Sequence, residues 1–478
     1  MFNVVFNADE NYIKYTAVLI TSIIKNTDTN KIFKDFFTIN NDLKDYEKLD
    51  YENLNEKEKQ EGYIFHILTN FISSETKLKL LELENELCKI YPCKINVIFM
   101  NDDEFKQDNL CSWYGNYATY YRLKIGSILP KDLRMCLYLD VDMLVLSDIR
   151  KLFTLNLKNY PLAAVPFVLH YPKELKAVDK NEKDFYLENS FYFNSGLLLI
   201  NLEEWKNKNI EHRIFKFLKR YIFTQMPDEM VLNAIIKNDI LQLYPCYNYV
   251  AGLFDYKEFN IEHSFKDELP KLHYFAFPRC YYENIQINII HFFICPKPWN
   301  TNVRLKFDNN IYETKFIQEW WEMALQTPAF TNDLQKLKEN IEKQVFKLYT
   351  QVLALKLTQM QEQIKNLEQV NFDLKYKSAY KRLKNSLSYK LGNALIIYSK
   401  DYKKILKIPY ILYSINKEHK LKIKFLRFSL KQSSNTKILS LKKCEDYEKA
   451  LKIKEHLSYK LGEALIKASN NLWGGGVA

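Results

Sequence analysis

The feature that most limits what this chain can fold into is its alternation of short apolar runs with amphipathic helical stretches. Val4-Val5-Phe6, Tyr63–Leu68 and Ile95–Met100 each read as a buried strand. A helical pattern through Ala17, Ile20 and Ile24 follows the first, and one from about Ser73 to Ile90 follows the second. Strands separated by helices imply βαβ units and a parallel sheet covered on both faces. Met135–Leu146, Leu162–Val168 and Leu197–Leu202 add strand-like segments, with Leu241–Tyr249 a late one. Tyr114–Ile128, Glu203 to about Phe223, and a stretch opening at Asp228 read as helical. Residues 34–62 interrupt this order with a polar, acidic stretch, expected to be a surface insertion.

Beyond Lys306 the pattern becomes helical, first at Tyr312–Leu325 and again from Leu334. Ile341, Val345, Leu348, Val352 and Leu355 alternate by four and three residues. The rhythm returns after a break at Met360, Ile364, Leu367 and Leu374. This is coiled-coil spacing, with a packed helical hairpin as the alternative. The segment Leu387-Ser-Tyr-Lys-Leu-Gly-Asn-Ala-Leu-Ile396 recurs as Leu457-Ser-Tyr-Lys-Leu-Gly-Glu-Ala-Leu-Ile466. Residues 331–478 carry a balance of +17 and residues 1–330 one of −6, so a mildly acidic body bears a basic tail. Lys403-Lys404, Lys422, Lys424 and Arg427 are interleaved with Ile, Leu, Phe and Tyr. Basic amphipathic helices with aromatic edges favour an anionic membrane surface; no nucleic-acid motif accompanies them. The expected organisation is a body over 1–305, a helical connector over 306–375 and a basic tail over 376–478. The segment 341–374 is the one hint about oligomeric state.

No run of 18 apolar residues occurs, and Met1–Phe6 enters a strand with neither a basic region nor a cleavage site. Neither a membrane span nor a signal peptide is expected. The eight cysteines (88, 93, 111, 136, 246, 280, 295, 444) form no CxxC pair, which suits a reducing cytoplasm.

Three clusters carry chemistry. Asp140-Val141-Asp142 sets two carboxylates one residue apart at the end of an apolar run, where both can approach one divalent cation. Hard oxygen ligands suit Mg²⁺ or Mn²⁺, though a lone pair of this kind is also a common solvated turn. Asp9-Glu10-Asn11-Tyr12 follows the first strand, where open α/β sheets place a ligand crevice. No Gly-rich fingerprint is present. An acid, an amide and an aromatic ring could bind a nucleobase, or could simply cap a helix ahead of a core Tyr. His291, in His291-Phe292-Phe293-Ile294-Cys295-Pro296-Lys297-Pro298-Trp299, could complete a metal shell or be a hydrogen-bonded core residue. The other seven histidines are scattered without HExxH spacing, so a zinc-hydrolase site finds no support.

Taken in order, Asp9-Glu-Asn-Tyr12, Tyr121-Arg122-Leu-Lys124, Tyr138-Leu-Asp140-Val-Asp142, Phe193-Asn194-Ser-Gly196 through Asn201-Leu202, and His291…Lys297-Pro-Trp299 resemble glycosyltransferase family 8. The likeness is strongest to bacterial lipopolysaccharide and lipooligosaccharide α-galactosyl- and α-glucosyltransferases, over about residues 1–305. It implies a GT-A fold, which is α/β with a mixed, mainly parallel sheet and helices on both faces. It also implies a UDP-galactose or UDP-glucose donor, Mn²⁺ with Mg²⁺ as the alternative ion, and retention of anomeric configuration. By the resemblance, Asp9, Asn11 and Tyr12 contact uridine, with Tyr12 stacked on uracil, and Arg122 contacts the diphosphate or sugar. Asp140, Asp142 and His291 hold the metal, Lys297 the diphosphate, and Asn194 and Gly196 lie against the sugar. Asp228 matches a sugar-binding Asp at a helix start; Glu229 stands where the family often has Gln and is the candidate nucleophile, or else a hydrogen-bonding acid. Ile294 stands where Gly is usual. Residues 166–171 and 247–259 are expected to shape the acceptor site. The expected function is a cytoplasmic enzyme, peripheral on the inner membrane face, that adds an α-linked hexose to a lipid-anchored oligosaccharide. The alternatives are transfer to a protein or polysaccharide primer, as in glycogenin, and a non-catalytic nucleotide-sugar-binding scaffold.

Overall fold

The computed structural model describes residues 1–478 apart from 39–41, 109, 111, 113–114, 167–173, 180–182, 189–191, 224–225, 252–285, 294–296, 301–302, 306–310, 314–315, 433–437, 439 and 474–478. Ile294, Cys111, Cys280, Cys295 and most of the two expected acceptor stretches lie outside the described residues. The chain divides into two compact units, Met1–Thr350 and Gln351–Ala478.

The strands of the first unit are, in chain order, β1 (Phe2–Asn7), β2 (Tyr63–Thr69), β3 (Cys93–Phe99), β4 (Met135–Leu139) and β5 (Met143–Val145). They continue with β6 (Leu162–Pro166), β7 (Glu174–Asp179), β8 (Asp184–Glu188), β9 (Phe193–Asn201), β10 (Tyr221–Ile222) and β11 (Leu241–Gln242). β12 (Tyr249–Val250), β13 (Ile289–His291), β14 (Val303–Leu305) and β15 (Ile311–Glu313) follow. Seven of them form the central sheet in the order β11-β6-β9-β4-β1-β2-β3. Every neighbouring pair is parallel except β9 with β4 and with β6. The sheet is therefore mixed and mainly parallel. Its strands are apolar on both faces because both faces are covered. Val4, Leu137, Leu139, Leu197 and Leu199 pack on one side with the Ile13–Lys25 and Ser74–Leu87 helices. Val5, Cys136, Tyr138, Leu198 and Ile200 pack on the other with the Leu202–Asn207, Ile210–Leu218 and Pro227–Ile236 helices.

Several elements depart from their expected form. Met135–Leu146 is two strands, because the chain turns at Asp140–Asp142 and β5 leaves the central sheet to pair with β13. Tyr114–Ile128 is mainly a 3₁₀ stretch, Ala118–Lys124, followed by one α-helical turn. The expected helix from Glu203 is broken by Asn209 in the left-handed conformation that Asn tolerates best after Gly. Leu241–Tyr249 is two short strands around a 3₁₀ turn, and Tyr312 lies in β15 ahead of the Ile317–Ala324 helix. The 34–62 segment is not purely a surface insertion: Phe36, Leu43 and Leu54 enter the core. Its Asp42 accepts from Lys151, Tyr247 and Asn288.

Thr331–Tyr376 is one continuous 46-residue helix rather than a hairpin. In the second unit the two copies of the repeat lie on the Leu387–Tyr398 and Leu457–Trp473 helices, which pack on each other. A Cβ on Gly392 would meet the Ser458 carbonyl oxygen at 1.6 Å, and one on Gly462 the Ser388 carbonyl oxygen at 1.6 Å. Asp446 caps the Ala379–Lys384 helix from a distance, accepting from the Ala379 and Tyr380 amides. No described helix is long and apolar enough to cross a membrane.

Candidate metal and donor site

The crevice at the carboxyl ends of β4 and β1 gathers most of the residues singled out by sequence. Asp140 directly follows β4, and its amide donates to the Gly196 carbonyl on β9 at 2.8 Å. Because β9 runs antiparallel to β4, its first residues, Asn194–Gly196, lie beside Asp140. Two residues on, the Asp142 carbonyl accepts from the Phe292 amide at 2.9 Å, and the β5–β13 ladder sets His291 opposite Met143. One potential ligand atom from each of Asp140, Asp142 and His291 lies within 4.8 Å of the other two.

The imidazole is oriented for ligation. Its Nδ1 lies 2.9 Å from Asn248 Oδ1, an atom that can only accept, so Nδ1 carries the proton and Nε2 keeps its lone pair. Nε2 is fully buried with no hydrogen-bond partner, 3.3 Å from Asp142 Oδ1 and 3.9 Å from Asp140 Oδ2. A buried acceptor turned toward two carboxylates is costly unless a cation lies between them. Two carboxylates and a neutral imidazole suit Mn²⁺ or Mg²⁺, so the residues fit the expected ion.

Asn248 is itself held. Its Nδ2 donates to Asn194 Oδ1 at 2.8 Å, Asn194 Nδ2 donates to Glu229 Oε2 at 2.8 Å, and Glu229 stands in the first turn of the Pro227–Ile236 helix. The relay Glu229–Asn194–Asn248–His291 fixes the ring's tautomer and angle. Gly196 completes the fit: a Cβ there would lie 2.4 Å from His291 Cε1. The resemblance assigned this glycine to the sugar; in the structure its missing side chain also makes room for the imidazole.

Each carboxylate has its own cation. Asp140 accepts from Arg122 Nη2 and from the Tyr138 hydroxyl, both at 2.7 Å. Asp142 accepts from Lys297. Burial alone would raise the Asp142 carboxyl, but the Lys297 ammonium outweighs it and holds the group well below the usual carboxylate range. Arg122 is buried over the Tyr138 ring, its guanidinium donating also to Ser195. Its Nε lies 3.1 Å from Asp228 Oδ2 without the alignment of a hydrogen bond. The resemblance gave Arg122 to the donor; in the structure its guanidinium donates to Asp140 and Ser195 and lies beside Asp228. Burial opposes its charge, but Asp140, Tyr138 and Asp228 raise its pKa above the ordinary value.

Glu229 is 3% exposed. Its oxygens accept from the Tyr192 hydroxyl at 2.6 Å, from Asn194 Nδ2 and from the Ser195 amide at 2.8 Å. These three hydrogen bonds fix the carboxyl group in place. Burial, helped by Asp228 and Asp140 and opposed by Tyr192 and Ser195, pushes its carboxyl up to about 7. Asp228 accepts from Thr119 and faces Arg122.

At the other end of the crevice, Asp9 Oδ1 accepts from the Asn11 and Tyr12 amides, which shapes the loop after β1. Asn11 is exposed and Tyr12 is 40% exposed. The Tyr12 ring meets Trp299 edge-on at 6.0 Å, and Tyr15 stacks on the same Trp299 at 3.9 Å. The Lys-Pro-Trp segment thereby ties Lys297 to the first loop. Sequence reasoning missed Asn248, Ser195, Tyr192, Tyr138 and Thr119. Of these, only Ser195 and Tyr138 sat inside quoted motifs.

Two expectations follow. Asn248→Ala frees the Nδ1 proton of His291, and Gly196→Ala displaces the ring. Each should weaken Mn²⁺ binding roughly 10–100-fold by titration calorimetry while leaving the circular dichroism unchanged. The second concerns stability. The unfolded Glu229 carboxyl titrates near 4.5 and the folded one at about 7, so the folded state binds its proton more tightly. Stability is then full below the lower value, declines between the two, and is lower by about 3 kcal/mol above the upper one. Glu229→Gln should raise the melting temperature at pH 8, and the gain should shrink several-fold by pH 5.

Comparison with known proteins agrees with this geometry. A Haemophilus influenzae protein named as a glycosyltransferase is 29% identical over 251 residues, covering 52% of this chain and 63% of its own length. The Escherichia coli lipopolysaccharide 1,2-glucosyltransferase is 26% identical over 269 residues, 55% of this chain and 67% of its own. The solved glycosyltransferase GlyE of Streptococcus pneumoniae is 18% identical, with a TM-score of 0.43 over 72% of this chain and 65% of that one. The chain spans about half to two thirds of the length of the first curated relatives it matches. Residues 305–478 match a family described as a domain of unknown function (DUF8374). Residues 3–303 match the family profile described as glycosyl transferase family 8, and the chain belongs to that family.

Proposed function

We propose that this chain transfers a hexose from UDP-galactose or UDP-glucose to a lipid-linked oligosaccharide of the lipopolysaccharide class, forming an α-linkage at the inner face of the cytoplasmic membrane. The observation that carries the reading is the orphaned, buried His291 Nε2 converging with Asp140 and Asp142. A Mn²⁺ ion bound there supplies neutralisation of the charge that grows on the departing diphosphate.

The chain's own groups do the rest. The exposed part of the Tyr12 ring stacks on the base, and Asn11 with the Asp9 oxygen not closing the turn meets the base or ribose edge. Lys297 donates to a phosphate oxygen at the instant of bond cleavage, the moment when a fixed cation counts most. Arg122, already locked by Asp140 and Asp228, holds Asp140 and the Asp228 carboxylate in place for the sugar. Because Glu229 is saturated by Tyr192, Asn194 and Ser195, retention proceeds by front-face attack beside the departing diphosphate rather than through a glycosyl-Glu229 intermediate.

UDP release from UDP-hexoses tests this. Turnover should require Mn²⁺, and Asp140→Ala/Asp142→Ala should lower it by roughly a thousandfold or more. Glu229→Gln should stay within about tenfold of wild type, since a lost nucleophile would cost far more. Donor binding with no UDP release under any acceptor would instead mark a non-catalytic sugar-nucleotide scaffold.

The membrane reading rests on the Ile408–Gln432 helix. Tyr410, Tyr413, Lys417, Leu421 and Lys424 are exposed and, spaced by three and four, share one face. Aromatic rings beside lysines on a single face suit the headgroup zone of anionic lipid. Lys417→Glu/Lys424→Glu should lower binding of the full chain to phosphatidylglycerol vesicles at least tenfold, with UDP release on a soluble acceptor unchanged. Equal binding to neutral vesicles would remove the electrostatic part of the proposal.

A further inference from the structure

The 46-residue helix carries two apolar stripes, and only one is used within the chain. Leu334 and Ile341 are buried in the core of the first unit, with Leu337 and Val345 packed against it. A second stripe begins at Phe346 and continues through Leu353, Leu357, Met360, Ile364 and Leu367, all of them exposed; Phe346 is 74% and Leu367 68% exposed.

The second stripe follows a strict heptad. Positions 346, 353, 360, 367 and 374 (Phe, Leu, Met, Leu, Leu) are d, and 350, 357, 364 and 371 (Thr, Leu, Ile, Asn) are a. We infer that this seam is the surface on which a second copy of this chain docks, as a parallel, in-register, two-stranded coiled coil. Three observations select that occupant. The seam is only two positions wide per heptad, as a helix–helix contact requires; a face that lies in lipid is broader. Its d positions are apolar from 346 to 374, and its a positions are apolar at 357 and 364. A parallel pair places Lys356 opposite Gln361 of the partner subunit and Gln363 opposite Glu368 of the partner subunit, so neither flanking charge meets its like. Thr350 costs little at its a position, because its hydroxyl already donates to the Phe346 carbonyl at 2.9 Å.

The inference stands apart from the transferase reading and is tested on the full chain without any substrate. Sedimentation equilibrium should give the mass of two chains. Leu357→Lys/Ile364→Lys, which puts ammonium groups in the seam, should weaken association by roughly a hundredfold or more. Leu355→Lys, which alters an equally exposed leucine off the seam, should leave it unchanged. Leu353→Cys should give an oxidised covalent dimer beyond the wild-type background, since only an in-register parallel pair brings position 353 to itself. Circular dichroism of each variant checks that the helix persists. A monomeric wild type at every concentration overturns the inference, as does a dimer indifferent to the seam lysines. A dimer without the Leu353→Cys cross-link overturns its parallel register. A monomer that uses the stripe to bind lipid vesicles overturns it as well.

Discussion

The site depends on one break in a strand. β4 and β5 could have run on as a single strand; instead the backbone turns across Asp140–Asp142 and is held at both ends. The Gly196 carbonyl takes the Asp140 amide, and the Phe292 amide takes the Asp142 carbonyl. The first bond extends the β4–β9 ladder; the second extends the β5–β13 ladder. The turn therefore sits where two sheets part, and the residues that flank it in space come from both. Two carboxylates this close would repel strongly in a low-dielectric crevice. The fold answers with one cation for each, Arg122 for Asp140 and Lys297 for Asp142.

The same turn explains why so many buried polar groups can be tolerated nearby. From Glu229 through Asn194 and Asn248 to His291, each donor meets an acceptor, and the series ends at a lone pair. Such a network stabilises only when every member is satisfied, so a change at Glu229 is felt at the imidazole three residues along the relay. This ties the helix that begins at Pro227 to the metal side of the crevice without either touching the other. Gly196 serves both parts: its carbonyl holds the turn, its amide donates to Asn194, and its absent side chain admits His291.

What was legible in the sequence follows from what periodicity and residue type can encode. Apolar runs announced most strands, and the acidic pair, the late histidine and the Lys-Pro-Trp stretch announced the crevice. Direction is another matter: an apolar run reads the same in a parallel and an antiparallel strand, so Leu197–Leu202 gave no sign that β9 runs against its neighbours. Yet that reversal is what brings Asn194 and Gly196 to Asp140. Asn248 fell in the stretch expected to shape the acceptor site, and its role at His291 was hidden for a related reason. It is a single amide between short strands, and its importance comes entirely from contacts remote in sequence. The two stripes of the long helix were read as one interrupted rhythm because they run side by side, the inner one continuing to the buried Val352 while the outer one has already begun at Phe346. Asn209, by contrast, left a readable trace, since an Asn inside a helical pattern is a candidate left-handed break.

The repeated segment shows how a pattern can be real and its first reading incomplete. Two near-identical leucine-containing segments stood within a basic tail expected to meet an anionic membrane surface. In the second unit they face each other, and Gly392 and Gly462 lie where each backbone comes against the other. Two helices that meet through the same residues on each side need the same small residue at the crossing, so the likeness of the copies follows from their packing. Leu391 and Ala394 are buried with Gly392, which removes that face from any membrane. Lipid contact, if the basic tail makes it, then belongs to the Ile408–Gln432 helix between the copies, whose aromatic and lysine side chains are turned outward. The repeat packs helix on helix, and the Ile408–Gln432 helix between its copies carries the exposed Tyr410, Tyr413, Lys417, Leu421 and Lys424.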